Sequence, residues 1–95
     1  MKPFIIKNDV WIYPGMAGWH FVYVQDTISK KIKKDVPSKR GFGSIPVTLK
    51  LGKTEWTTSI FPTKEGPYLL PLKASVRKKE GIEAGDKVAI HCTIL

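Results

Sequence analysis

The sequence of 95 residues lacks features that disulfide-bonded, secreted and membrane proteins require. It holds one cysteine, Cys92, so no disulfide can form within the chain, and a reducing compartment is predicted. The apolar run at residues 4–6 ends at Lys7 and is too short for a signal peptide or a membrane span. We therefore expect a cytoplasmic protein that does not enter a membrane.

Metal ligands and nucleophile motifs are also scarce. His20, His91 and Cys92 are the only imidazole or thiol groups. His91 and Cys92 are adjacent in a predicted strand, so they point to opposite faces and cannot bind one ion together. Ser59 lacks the G-x-S-x-G motif, and the carboxylates form no recognisable acid/base pair. We expect no catalytic residue, no metal site and no cofactor, although a minor enzyme stays open as an alternative.

Acidic residues are few, and their shortage is uneven. The chain has sixteen basic and eight acidic residues, for a net charge of +8. Residues 30–40 alone hold six basic residues and one acidic residue. Such a segment attracts polyanions such as nucleic acid, whereas the simpler interpretation is a solvated helix face that keeps the protein soluble. The candidate nucleic-acid-binding residues are Lys30, Lys33, Lys34 and Lys39.

The clearest structural pattern is a β-hairpin in the middle of the chain. Apolar and polar residues alternate on both sides of Gly52-Lys53, and a two-residue loop with glycine first is typical of a type II′ turn. This turn pairs Leu51 with Thr54, Lys50 with Glu55, and Leu49 with Trp56. The predicted inward face consists of Ile45, Val47, Leu49, Trp56 and Ile60.

Four other segments are predicted to be strands: Phe4 to Tyr13, Trp19 to Val24, Tyr68 to Leu72, and Lys87 to Ile94. The glycines and proline of residues 14–18 predict a turn between the first two. Six short β segments in one small chain favour a barrel or a compact two-layer β fold.

Two helices interrupt the strands. The first is predicted to begin with Asp26 or Thr27 as its N-cap and to end before Pro37, with Ile28, Ile32 and Val36 on one stripe. The second is predicted from about Lys73 to Glu80, ending at Gly81 as a left-handed cap, after which Ile82 folds back on Val76.

Several strings together resemble a known family. They are Gly18-Trp19-His20-Phe21-Val22, Arg40-Gly41-Phe42-Gly43, Pro46-Val47, the stretch from Trp56 to Pro62, and the stretch from Gly66 to Arg77. Over roughly Phe4 to Ile94 the chain is similar to the bacterial domain-of-unknown-function family numbered nineteen-oh-five. Thr57, where many relatives carry a basic residue, and Pro67, in place of one of two glycines, depart from that pattern.

The resemblance implies a fold more than an activity. The family is similar to the double-split β-barrels, a group that also includes swapped-hairpin DNA-binding regulators and antitoxins, and its own activity is not established. We therefore expect residues 1–95 to form a single domain that is mainly β with two short helices, built as a small six-stranded closed or double-split β-barrel.

A glycine-flanked arginine is the first candidate for anion binding. Arg40 precedes Gly41, Phe42 and Gly43. Its guanidinium can make a bidentate contact with phosphate or carboxylate, while glycines let the backbone approach a ligand. Alternatively, Arg40 pairs with a carboxylate of the protein and Phe42 closes one end of the barrel.

Lys73 and Arg77 form the second candidate, since residues four apart share one face of a helix and Lys73 would lie near its positive end. The plainer interpretation is two solvated cations. Because Arg40 precedes the hairpin and Lys73 follows the next strand, we predict that Arg40 and Lys73 converge on one anion site.

Two functions follow from these patterns. The first is a small basic β-barrel binding module for nucleic acid or another anionic partner. The alternative is a small-molecule-binding domain or minor enzyme, with Trp19, Trp56 and Tyr68 lining a pocket at the barrel end and Arg40 fixing an anionic group. Basic residues spread over a convex face favour the first function, and their convergence on a concavity favours the second.

Overall fold

The computed structural model describes residues 1–15, 18–36, 43–64 and 66–95. Six strands and two helices lie within these ranges, which confirms the prediction of a mainly β protein with two short helices. In chain order they are β1 (Phe4–Ile12), β2 (His20–Tyr23), α1 (Asp26–Asp35), β3 (Ile45–Leu51), β4 (Thr54–Ile60), β5 (Leu69–Pro71), α2 (Ala74–Glu80) and β6 (Lys87–Ile94).

The strands form one antiparallel sheet in the order β4-β3-β6-β1-β2-β5. Its two edge strands meet at a single bridge, where Phe61 and Leu69 exchange backbone hydrogen bonds of 2.9 and 2.7 Å. The sheet therefore curls into a nearly closed six-stranded barrel, as predicted. Within the described ranges, β4 and β5 make no further pair beyond this bridge, so a gap separates them.

The β3–β4 hairpin has the predicted register, with Leu49 opposite Trp56 and Leu51 opposite Thr54. Gly52 has a φ of +59°, while Lys53 does not have a positive φ. This combination is that of a type II′ turn, because a type I′ turn requires positive φ at both central residues. All five residues predicted for the inward face are buried: Ile45, Val47, Leu49, Trp56 and Ile60.

Cys92 lies in the core on the inner face of β6, opposite Phe4 of β1 and Leu49 of β3. Burial raises the pKa of its thiol to about 12, so the side chain is a neutral apolar group at physiological pH. His91, its neighbour, is exposed.

Helix α1 packs its predicted stripe on the barrel. Ile32 is fully buried, and Ile28 and Val36 lie against the same core. The predicted N-cap is wrong: Gln25 holds that position, and no side chain caps the helix. The reason is tertiary, since the Gln25 side-chain amide donates to the Ile5 carbonyl at 3.1 Å.

Ser29, on the inner side of α1, has a structural role that was not predicted. Its hydroxyl donates to the Val24 carbonyl at 3.2 Å and accepts from the Tyr68 backbone N–H at 3.0 Å, and the residue is buried. One side chain therefore joins α1 to the backbone leading into β5.

Helix α2 ends at Gly81, whose φ of 64° makes it the predicted left-handed cap. The Ile82 N–H donates to the Arg77 carbonyl at 2.9 Å, and Ile82 packs against the core cluster that includes Val76. The Thr54 hydroxyl donates to Glu80 at 2.6 Å, which ties the end of α2 to the hairpin. Neither helix of the described chain has the length and apolar character needed to cross a membrane.

Candidate anion-binding cavity

A cavity of about 490 Å³ lies in the gap where β4 and β5 stop pairing. It is lined by residues 18–20, 56–58, 71–74, Phe61 and Arg77. The β2–β5 ladder runs to the end of β5, where the Leu72 N–H donates to the His20 carbonyl at 2.9 Å. That bond brings the start of β2 next to the start of α2 and forms one wall.

Arg77 is held in this wall by backbone carbonyls. Its Nε–H donates to the Leu72 carbonyl at 3.0 Å and its Nη2 to the Gly18 carbonyl at 3.2 Å, while Nη1 lies 3.5 Å from His20 Nε2. A guanidinium carries five N–H groups, so one on each terminal nitrogen has no acceptor among the described residues. The head group is therefore fixed but retains donor capacity.

His20 has one tautomer that fits these contacts. Its Nδ1 lies 2.7 Å from the Gly18 carbonyl oxygen, which can only accept, so Nδ1 carries the proton. Nε2 then presents its lone pair to Arg77. In this tautomer His20 is an acceptor for the guanidinium, at the long distance of 3.5 Å.

The charged side chains in the described lining of the cavity are all positive. Arg77 is half-buried and Lys73 is exposed, and no aspartate or glutamate is present among the described residues of the lining. The ion pair of the described chain joins Lys87 Nζ to Asp9 at 3.6 Å on other strands, and neither Lys73 nor Arg77 forms one there. The cavity wall thus carries two cations without a protein counter-ion in the described ranges.

The remaining walls are largely aromatic. Trp19 is 52% exposed, whereas Trp56 is 7% exposed and its indole Nε1 has no hydrogen-bond partner in the described chain. The apolar part of the lining also includes Phe61, Pro71, Leu72 and Ala74. A mostly apolar concavity with a few polar groups is typical of small-molecule sites.

The predicted site residues fall into three groups. Lys73 and Arg77 lie together on the cavity, with Lys73 at the N-cap of α2. Lys30, Lys33 and Lys34 are exposed on α1 and do not line it. Outside the described residues lie Lys39, Arg40, Gly41 and Phe42, and with them the predicted convergence of Arg40 and Lys73.

Gly43 is described, with a φ of +83°, and packs beside Pro62 instead of lining the cavity. A Cβ added at Gly43 would lie 3.1 Å from Pro62 Cγ, so this backbone accommodates glycine best.

One lining prediction is wrong. Tyr68 is buried under α1, with Lys33 Nζ 5.8 Å from its ring centroid, and it does not line the cavity, whereas Trp19 and Trp56 do. The hydrogen bond from Tyr68 N–H to Ser29 sets this position, and burial raises the pKa of the Tyr68 hydroxyl.

Sequence reasoning missed His20, Thr57, Thr58 and Phe61 as lining residues. His20 follows a glycine turn at the start of a strand, a common place for ligand contacts, and was considered only as a metal ligand. Thr57 was singled out only as a departure from the family pattern, and Thr58 gave no signal, because strand alternation says nothing about where two edge strands separate. No group of three metal-ligating side chains occurs among the residues that the structure describes.

The fold and the site define a small, nearly closed antiparallel β-barrel with a cationic, aromatic-lined cavity at its seam. The chain belongs to the family described as Domain of unknown function (DUF1905), which it matches over residues 7–92. This match confirms the resemblance seen in the sequence. No curated protein matches the chain.

Proposed function

We propose that this protein is a binding domain for a small organic anion, which occupies the cavity between β4 and α2. The observation that carries the proposal is Arg77: a half-buried guanidinium with no carboxylate partner in the described chain, in a cavity with no acidic residue in its described lining. A partly desolvated cation is stabilised by a counter-charge, and an anionic ligand would supply one.

The arrangement of Arg77 suits a carboxylate or a phosphate. Bonds to Leu72 and Gly18 orient the guanidinium before any ligand arrives. Such pre-organisation reduces the entropy lost on binding, and the two remaining N–H groups can donate to two oxygens of one anion. Lys73 adds a second positive charge on the same cavity.

The cavity favours a small ligand and binding rather than catalysis. Its volume of about 490 Å³ is in the range of small-molecule sites. Among the residues that the structure describes, no thiol or carboxylate lines it, and both ring nitrogens of His20 already contact protein atoms. At the N-terminus of the seven-residue α2, the N–H groups of Val76 and Arg77 bond to the Lys73 carbonyl, so these two donors are already used.

The test compares two substitutions on α2 that remove the same charge. Arg77→Gln removes the oriented guanidinium, whereas Lys78→Gln alters an exposed residue outside the lining. Binding of a panel of small carboxylates and phosphates is measured by calorimetry. Because a hydrogen bond to a charged group contributes about 1.5–3 kcal/mol, Arg77→Gln should weaken binding by about ten- to a hundredfold, and Lys78→Gln should leave it near the parent. Equal affinities in both variants, or no binding of any panel member, would contradict the proposal.

A second candidate function, nucleic-acid binding, rests on a different surface. Lysines Lys30, Lys31, Lys33 and Lys34 are all exposed on α1 and do not line the cavity. If they contact phosphates, affinity should fall steeply with salt, with a log–log slope of about 0.9 per phosphate neutralised on duplex DNA. Replacing Lys33 and Lys34 with glutamine should flatten that slope, whereas the same change at Lys78 and Lys79 on α2 should not. Undetectable binding to single- and double-stranded oligonucleotides at low salt would remove this candidate.

We further propose a cytoplasmic location. The single thiol, Cys92, is buried and keeps its proton at neutral pH, so the fold has no need of an oxidising compartment. Fractionation of cells that express the full protein, with detection by antibody, would contradict this if the protein appeared outside the cytoplasmic fraction.

A further inference from the structure

The indole N–H of Trp56 is a buried donor without an acceptor. Trp56 lies on the inner face of β4, is 7% exposed and lines the cavity. Its Nε1 has no hydrogen-bond partner in the described chain. Native proteins pair almost all buried polar groups, so an unpaired donor on a cavity wall is a place where an acceptor of a bound ligand would be stabilising.

Trp19 provides the second observation. It lines the same cavity and is 52% exposed, yet its position is set by stacking on Phe21, with ring centroids 5.8 Å apart and planes at 29°. A large apolar ring held half in water presents a flat surface that another ring can cover. Aromatic side chains in this arrangement are typical of sites for planar ligands.

The polar groups of the wall point to a ligand rich in acceptors. Arg77, Lys73 and the Trp56 indole are donors only, the Thr57 and Thr58 hydroxyls can donate or accept, and no carboxylate side chain is among the described residues of the lining. A ligand that matches them needs an anionic group for the two cations and a separate acceptor for the indole.

We propose, building on the anion-binding function above, that the ligand joins an anionic group to a planar ring that carries a hydrogen-bond acceptor. The anionic group binds Arg77 and Lys73, the ring stacks on Trp19, and its acceptor takes the Trp56 N–H. Two sources share this chemistry: nucleoside monophosphates and heteroaromatic carboxylates.

The experiment has one arm for each source. In the phosphate arm, adenosine monophosphate is compared with ribose phosphate, which lacks the ring, and with adenosine, which lacks the anion. In the carboxylate arm, nicotinate is compared with benzoate, which lacks the ring acceptor, and with cyclohexanecarboxylate, which lacks the planar ring. Dissociation constants of the parent protein are measured by calorimetry. In at least one arm, the complete probe should bind about tenfold or more tighter than each of its truncated forms.

The same substitution at two unpaired tryptophans then tests which indole N–H contacts the ligand. Trp56→Phe keeps a ring in the core but removes the N–H, so it should lower the affinity for nicotinate to near that for benzoate. The affinity for adenosine monophosphate should fall only part of the way to that for ribose phosphate, because stacking on Trp19 remains. Trp11→Phe makes the same chemical change at a second unpaired indole that does not line the cavity, and it should leave the affinities unchanged. If Trp56→Phe does not fold, the indole N–H signals of the parent in a nitrogen–proton correlation spectrum replace it, and the Trp56 signal should move more with nicotinate than with benzoate.

The outcomes separate the two proposals. If ribose phosphate or cyclohexanecarboxylate binds in an Arg77-dependent way and the complete probes bind no tighter, the inference about the ring is overturned while anion binding stands. If Trp11→Phe weakens binding as much as Trp56→Phe, the assignment of the donor is overturned. If no probe of either arm binds, the inference and the proposed function both fail.

Discussion

The β3–β4 hairpin and the β2–β5 pair show two ways in which one barrel is built. The hairpin strands have seven residues each and pair along their whole length around a two-residue turn. Strands β2 and β5 have four and three residues and are separated in the chain by α1 and the hairpin itself. The first region is a local structure, whereas the second exists only because distant segments meet.

This difference explains where the cavity lies. Because β5 is short and meets β4 at a single bridge, the barrel stays open beyond Phe61 and Leu69. The carbonyls of Gly18 and Leu72, next to the short strands, are then available to hold Arg77. The hairpin provides one wall of the cavity. The short-strand region, which consists of β2, β5 and the residues that flank them up to α2, provides the opening and the charged groups.

The largest expected effect tests the hairpin wall. Trp56→Ala removes a buried ring opposite Leu49 and should cost about 3–5 kcal/mol of unfolding free energy, much of the stability of a small domain. Trp19→Ala, at a half-exposed ring of the short-strand region, should cost about 1 kcal/mol or less. Urea unfolding measures both. Equal losses would mean that the hairpin is not the more stable of the two regions.

A smaller effect tests how the short-strand region is held. Ser29→Ala leaves the Tyr68 N–H without its acceptor in a buried place and should cost about 1–3 kcal/mol. Ser75→Ala, at an exposed serine of α2, serves as the control and should be nearly neutral. Hydrogen exchange at Tyr68, measured by NMR, should speed up in the Ser29 variant. Unchanged exchange there would show that α1 does not hold β5 in place.

The turn of the hairpin gives the next test. Gly52→Ala should cost about 1–2 kcal/mol, because the backbone is left-handed at φ +59°. The added Cβ would also displace the Glu80 carboxylate that accepts from Thr54. Gly81→Ala has nearly the same φ, +64°, but meets no atom within 4 Å, so it should be less destabilising. Equal losses in thermal and urea unfolding would exclude a role for the contact with α2.

The smallest effect concerns pH and the core of the long strands. The ordinary pKa of a thiol, 9.0, is raised to about 12 for Cys92 by burial. Between these values the unfolded chain binds fewer protons than the folded one, so stability falls as pH rises, by about 1 kcal/mol from pH 8 to pH 10. In Cys92→Ala this contribution to the decline should disappear, as urea unfolding at each pH would show. An unchanged pH slope would mean that the thiol is not protected in the barrel.

The features that the sequence predicted are the local ones, and those that it missed depend on contacts between distant segments. The hairpin register, the type II′ turn and the Gly81 cap were all predicted, since each depends on residues close in the chain: Gly52 for the turn, strand alternation for the register, and a glycine after the last helical residue for the cap. The stripe of α1 on the core was predicted for the same reason. The family resemblance was also predicted, from several short motifs and their spacing along the chain.

The site was predicted only in part. Lys73 and Arg77 were found by helical spacing, because a four-residue interval places both on one face, and Trp19 and Trp56 as bulky residues for a pocket. His20 was missed, because its contact with Arg77 joins residues far apart in the chain, and Tyr68 was misplaced, because the buried hydroxyl of Ser29 fixes it under α1.

The sequence by itself determined the strands, the helices and the excess of positive charge, because alternation, turn chemistry and composition act over short distances. Only the tertiary structure decided that β4 and β5 separate after one bridge, that Arg77 is held by the Gly18 and Leu72 carbonyls, and that the Trp56 indole lacks an acceptor in the described chain. The physical reason is that these features depend on how a closed sheet brings distant backbone segments together, which no local pattern encodes.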